Sequence, residues 1–220
     1  MKTYYGDREK CYNCFRPKSS CMCGYISAIP TETKFVLLMH PKEFKKVKNN
    51  TGFFTHLSLS NSEVFIGIDF SNHTQINEII KTHESYILFP SDDAVNLTTH
   101  NPKESPKKLA IFIIDSTWAC AKKIFIQSSN LNQLRHLSFS TTKKSNYKIK
   151  EQPHENYLST IESTLVVLEL LNKWQIEKIS FKSLDNFLNP FEEMIKYQQE
   201  IIENPLSNAV RFKRNSHTQK

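Results

Sequence analysis

Apolar residues along this chain fall into short continuous runs separated by polar stretches. Lys34–Met39 is such a run, stopped at His40-Pro41, and Glu63–Ile68 is a second. Tyr86–Phe89 is a third, stopped by Pro90, and Leu109–Ile114 is the strongest, ending at Asp115. Arg135–Phe139 is a weaker fifth candidate. Runs that are continuous rather than alternating predict strands covered on both faces, as in a parallel sheet. Between and after them lie helical signals. Ser116 is placed to cap a helix from Trp118 to about Gln127. Ser159-Thr160-Ile161-Glu162 spells a capping box opening a helix to about Lys173. Asn189-Pro190 opens a last helix, with Pro at its first position, running to about Glu203. Strand–helix alternation predicts the α/β class with a mostly parallel sheet. Segments 91–107 and 140–157 are polar, contain proline and carry no period, so they read as long loops.

Composition narrows the class. The chain has 220 residues, 39% hydrophobic and 23% charged, with 15 Phe, 8 Tyr and 2 Trp as core material. That excludes wholesale disorder. No apolar run approaches the length of a membrane span, and Met1–Arg8 lacks an apolar signal core, which predicts a cytoplasmic protein without a membrane partner. Only four glycines occur, and none builds a Gly-rich phosphate cradle. The formal net charge of +7 favours a polyanionic partner, since neutralised phosphates release counterions. Lys42, Lys45, Lys46 and Lys48 cluster, as do Lys143, Lys144, Lys148 and Lys150, and residues 205–220 read as a basic, disordered tail.

Cysteines add the first chemistry. Four lie in the pattern Cys11-x2-Cys14-x6-Cys21-x-Cys23, and Cys120 stands apart. In a non-secreted chain this is a tetrahedral zinc set rather than a disulfide frame, with Pro17 and Gly24 supplying turns. Four cysteines leave the metal no open position, so it would be structural. Cys120 reads as a packed residue of a helix.

Ligands of open parallel sheets bind beyond the carboxyl ends of the strands. There the chain offers His40-Pro41-x-Glu43, Phe89-Pro90-Ser91 and Asp115-Ser116-Thr117-Trp118. Position alone leaves Asp115 open between a helix-capping residue and a base. Trp118, taken alone, reads as core, and His40 as a structural histidine.

The order Cys-x2-Cys-x6-Cys-x-Cys, His-Pro-x-Glu, Phe-Pro-Ser, Asp-Ser-Thr-Trp and Leu158-Ser159-Thr160-Ile161-Glu162 resembles the DTW-domain family, whose signature is Asp-x-Thr-Trp. The resemblance implies a tRNA-uridine aminocarboxypropyltransferase. Such an enzyme moves the 3-amino-3-carboxypropyl group of S-adenosylmethionine to N3 of a tRNA uridine and releases methylthioadenosine. It implies a SPOUT-like α/β domain over residues 31–204 with a C-terminal knot, preceded by a zinc-knuckle lobe over 1–30. On that resemblance Asp115 is the general base, and Phe89, Pro90, Trp118, Leu158, Ser159 and Thr160 line the adenosylmethionine pocket. His40, Thr117, Lys122, Lys148 and Lys150 contact tRNA, and Cys11, Cys14, Cys21 and Cys23 hold zinc. The expected state is a monomer. The competing readings are a SPOUT-type RNA methyltransferase and a non-catalytic zinc-knuckle RNA-binding protein.

Overall fold

The computed structural model describes residues 9–45, 50–147 and 158–204. Its strands are β1 (Lys34–Met39), β2 (Ser62–Ile66), β3 (Glu84–Leu88), β4 (Val95–Asn96), β5 (Leu109–Asp115) and β6 (Arg135–Ser138). Its helices are α1 (Pro41–Lys45), α2 (Thr51–Leu57), α3 (Thr74–Thr82), α4 (Trp118–Gln127), α5 (Thr160–Lys173), α6 (Phe181–Asp185) and α7 (Asn189–Glu203). The strands make a six-stranded sheet in the order β2-β1-β5-β3-β6-β4. Every pairing in it is parallel.

Both faces of the sheet are covered, which is why the strands read as unbroken apolar runs. In β5, Leu109, Ile111 and Ile113 enter one core, while Ala110 and Phe112 enter the other. The first core also takes Phe54 of α2, Val167 and Leu171 of α5, Leu184 of α6 and Phe191 and Met194 of α7. The second takes Ile76 and Ile79 of α3 and Ile124 of α4. The result is three layers, helix on sheet on helix. Among the described residues no helix is long and apolar enough to cross a membrane.

The five strands predicted from the pattern are all present, β1 with both ends as predicted and the others with ends shifted by at most two residues. The segment 91–107 carries a strand after all, because β4 is a two-residue edge pairing too short to show a period. The cap of α4 is Thr117 rather than Ser116, whose hydroxyl donates instead to the Thr117 carbonyl. Asn189 is the first residue of α7, with Leu188 as its cap, so Pro190 stands second. The capping box at Ser159 and Glu162 is present as predicted. Four helices had no sequence signal. In α2 a glycine and β-branched residues oppose helix formation, and the helix is held instead by the Asn50 side chain, which accepts from Phe53 N–H at 2.8 Å, and by burial of Phe54. In α3 only Ile76 and Ile79 are buried, a stripe too short to stand out.

Candidate functional site

The loops leaving β1 and β5, neighbours in the sheet, diverge. β1 leads through α1 and α2 to β2 on one side, whereas β5 leads through α4 past β3 to β6 on the other. Such a divergence opens a crevice at the carboxyl ends of the two strands, the usual ligand site of open α/β sheets. Met39 is level with Asp115 across the pairing, and His40 N–H donates to the Asp115 carbonyl at 3.1 Å. The sheet therefore puts His40 and Asp115 side by side at its rim.

Asp115 is 5% exposed. Thr160, at the first position of α5, donates its hydroxyl to Asp115 Oδ1 at 2.7 Å. From the opposite side the first turn of α2 presses on the same carboxylate. A Cβ at Gly52 would lie 2.4 Å from Asp115 Oδ2, a distance no side chain tolerates, so the glycine is what lets α2 approach. α5 is positioned in turn by Glu162, which is 6% exposed. One of its oxygens accepts from Ser159 N–H at 2.8 Å, Ser159 Oγ at 2.6 Å and Ser145 Oγ at 2.8 Å. The other accepts from Asn146 N–H at 2.8 Å. One buried carboxylate thus ties the start of α5, bearing Leu158, Ser159 and Thr160, to the chain at 145–147. Tyr147 is buried there against Phe191. Burial pushes its phenol upward, and the charges of Glu43, Asp115 and Glu162 push the same way.

Beyond β3, Phe89 stacks on Phe125 at 4.9 Å and stands 6.3 Å from the Trp118 ring. Trp118 is 39% exposed, so it is a wall facing outward and not a core residue. Pro90 is exposed at the same rim. The sequence reading did not include His136, whose ring meets Phe89 and Phe125 edge-on and whose Nδ1 lies 2.6 Å from Ser91 Oγ. Ser91 Oγ donates to Asp93, and this holds the Asp93 carboxyl below its usual range. Gly52 and His136 were missed for one reason, which also hid the tie from Glu162 to Ser145 and Asn146: each acts through a partner distant in sequence, with no local motif.

His40 is buried, and its Nδ1 accepts from Lys42 N–H at 3.1 Å, which leaves the proton of a neutral ring on Nε2. Thr117 caps α4, and Lys122 and Lys123 lie on the exposed face of that helix. Lys143 is engaged by Glu169 at 2.7 Å. Lys46, Lys48, Lys148, Lys150 and the tail from 205 lie outside the described residues. Cys120 is half-buried in α4.

The four clustered cysteines converge. Their Sγ atoms all lie within 4.8 Å of one another, with Cys11–Cys23 and Cys14–Cys21 each at 3.7 Å. Zinc–thiolate bonds of about 2.3 Å at the tetrahedral angle put sulfurs about 3.8 Å apart, so the donor set fits zinc. Backbone N–H groups of Cys14 and Asn13 pull the Cys11 thiol down to about 6. Burial pushes Cys14 and Cys23 upward.

The family model for the DTW domain matches residues 8–199. The chain is 30% identical over 198 residues to tRNA-uridine aminocarboxypropyltransferase 2 of Drosophila melanogaster, covering 87% of this chain and 75% of that protein. It is 30% identical over 171 residues to the protein of the same name from Macaca fascicularis, covering 76% of this chain. That match spans 57% of the macaque protein, little more than half its length. With tRNA-uridine aminocarboxypropyltransferase A of Arabidopsis thaliana it shares 28% over 132 residues, 53% of this chain and 50% of that protein. No solved structure matches. The signature Asp115-Ser116-Thr117-Trp118 stands at the rim of the β1–β5 crevice, and the chain belongs to the DTW-domain family.

Proposed function

We propose that this protein forms 3-(3-amino-3-carboxypropyl)uridine in tRNA, with S-adenosylmethionine as donor and methylthioadenosine as the other product. The observation that carries the reading is Asp115, a buried carboxylate at the switch-point crevice, fixed by Thr160 on one side and Gly52 on the other. The donor supplies a carbon already activated by attachment to a sulfonium. A carboxylate at the end of β5, on the same strand-end rim as Phe89 and the exposed Trp118 ring, suits a cationic group carrying a nucleoside. Phe89, Pro90 and Trp118 would bound the apolar side of that pocket, and Leu158, Ser159 and Thr160 its polar side. Asp115 would take the proton from uracil N3 as N3 bonds to the carbon and the carbon–sulfur bond breaks. The Thr160 hydroxyl orients the carboxylate for that transfer. Because a carboxylate is a weak base, much of the acceleration falls to holding the two reactants in line.

Lys122, with its neighbour Lys123, would meet tRNA phosphates, as would Lys148 and Lys150, and His40 and Thr117 would contact the RNA at the rim. The four cysteines would hold a structural zinc within a lobe of residues 1–30 that supports a catalytic body of 31–204. In that body the return of the chain into α5 would make the SPOUT-type knot. We take the working state as a soluble monomer in the cytoplasm. The test is nucleoside mass spectrometry of unmodified tRNA after incubation with protein and adenosylmethionine. A gain of one aminocarboxypropyl group on uridine supports the reading. A methyl-sized gain, or none with both ligands bound, overturns it.

A further inference from the structure

One side chain at the strand-end rim offers a lone pair that no described residue uses. His136 lies in β6 level with Ile87 of β3, so its ring shares the face of the sheet on which Ile87 packs under α3 and α4. There it meets Phe89 edge-on at 6.1 Å and Phe125 of α4 edge-on at 5.3 Å, while those two rings stack on each other. Its Nδ1 is 2.6 Å from Ser91 Oγ, and the Ser91 hydroxyl donates to Asp93 Oδ1, also at 2.6 Å. An ionised carboxylate only accepts, so Ser91 spends its one proton on Asp93 and accepts from the ring. A neutral His136 therefore carries its proton on Nδ1 and a lone pair on Nε2, the reverse of His40. Among the described residues Nε2 has no hydrogen-bond partner, and it is not one of the buried polar atoms that lack one, so it is reached from outside.

Asp93 and Ser91 thus hold an acceptor in one orientation and one tautomer among half-buried aromatic rings. Such a group suits a flat heterocycle that carries an N–H at its edge. A phosphate would face both the lone pair and the Asp93 charge, which disfavours the RNA backbone as occupant. β6 stands two strands from β5, about 10 Å away. Asp115 turns toward α2 and α5 and His136 toward α4, so a ligand that touches both lies across the strand ends. In adenosylmethionine the adenine amino group and the transferred carbon stand at the two ends of a comparable span.

We propose that His136 selects the adenine of the donor: its Nε2 accepts from the exocyclic amino group while the base lies against Phe89. Ser91 and Asp93 are the positioning residues that fix the tautomer this requires. The inference rests on adenosylmethionine being the donor and is independent of which of its carbons is transferred.

The full-length protein, His136→Phe and Ser91→Ala are each titrated calorimetrically with methylthioadenosine and with methylthioinosine, in which a carbonyl oxygen replaces the amino group. The titrations are run at about pH 8, above the ordinary range of an imidazole. Wild type is expected to bind the adenosine about 10- to 100-fold more tightly, because the inosine sets an acceptor against an acceptor. His136→Phe keeps an aromatic ring and deletes the lone pair, and its preference falls to within about threefold. Ser91→Ala lets the ring proton move between the nitrogens, and the preference shrinks about threefold or more. A merely structural role for His136 would weaken both ligands alike and leave their ratio at the wild-type value. Equal affinity of wild type for the two nucleosides, or a wild-type ratio in His136→Phe, overturns the proposal. If His136→Phe does not fold, Ser91→Ala decides, and an unchanged ratio there overturns it. Wild type that binds neither nucleoside refutes the adenosylmethionine reading itself and this proposal with it, a result distinct from binding without preference.

Discussion

Two contacts of the Asp115 carboxylate differ in kind, and each predicts its own failure. The contact with Gly52 is steric. Gly52→Ala places a methyl where Asp115 Oδ2 stands, so α2 must withdraw from the rim. We expect a stability loss of about 1–3 kcal/mol by denaturant unfolding, accompanied by a fall in transfer rate. The contact with Thr160 is a hydrogen bond to a charged acceptor at 2.7 Å. Thr160→Val keeps the shape and deletes the donor, and such bonds are worth roughly 1.5–3 kcal/mol, so the rate should drop about 10- to 100-fold. Thr160→Ser, which restores a hydroxyl, should recover most of it. Equal rates for the valine and serine variants would show that the bond is incidental.

At the scale of elements, the site depends on where α5 begins, and Glu162 sets that. Its carboxylate gathers three donors on one oxygen and one on the other while buried. Glu162→Gln replaces one acceptor oxygen with a donor facing donors. The expected cost is about 2–4 kcal/mol, or roughly 5–10 °C in melting temperature for a chain of this size. Activity should fall in parallel because Thr160 moves with the helix start. A variant melting with wild type would refute this role. The capping box was legible at Ser159 and Glu162, because a cap is written in adjacent residues. The tie from Glu162 to Ser145 and Asn146 was not, since nothing local links positions 17 and 16 residues apart. The same contrast separates the strands from the missed helices. β1 and β5 are written as apolar runs, whereas α2 exists because Asn50 caps it and Phe54 is buried by chain from elsewhere.

For the whole molecule, partly buried histidines tie stability to pH. Burial holds His56 below its ordinary value, against a smaller opposing effect of Glu63, and burial likewise depresses His83. A histidine depressed in the folded state binds more protons when unfolded. Its contribution is therefore intact above the unfolded value of about 6.5 and is lost as pH falls toward the folded value. Unfolding free energy should decline below about pH 6.5 and decline less in His56→Gln, measured by denaturant titration across pH. An identical pH profile in the variant would contradict this. The crevice, too, is a property of the whole: Asp115, Thr160 and Gly52 come from three elements, and the sequence shows them as a strand end, a cap and an unremarked glycine. Only the divergence of β1 and β5 in the sheet order makes them one site.

The central claim is that Asp115 accepts the N3 proton in an aminocarboxypropyl transfer to tRNA. It is tested most directly by comparing wild type and Asp115→Asn on unmodified tRNA with adenosylmethionine, reading uridine nucleosides by mass spectrometry and donor binding by melting shift. One aminocarboxypropyl group on a uridine is expected with wild type, none with Asp115→Asn, and a donor-induced stabilisation common to both. Product formation by Asp115→Asn at the wild-type rate would contradict it.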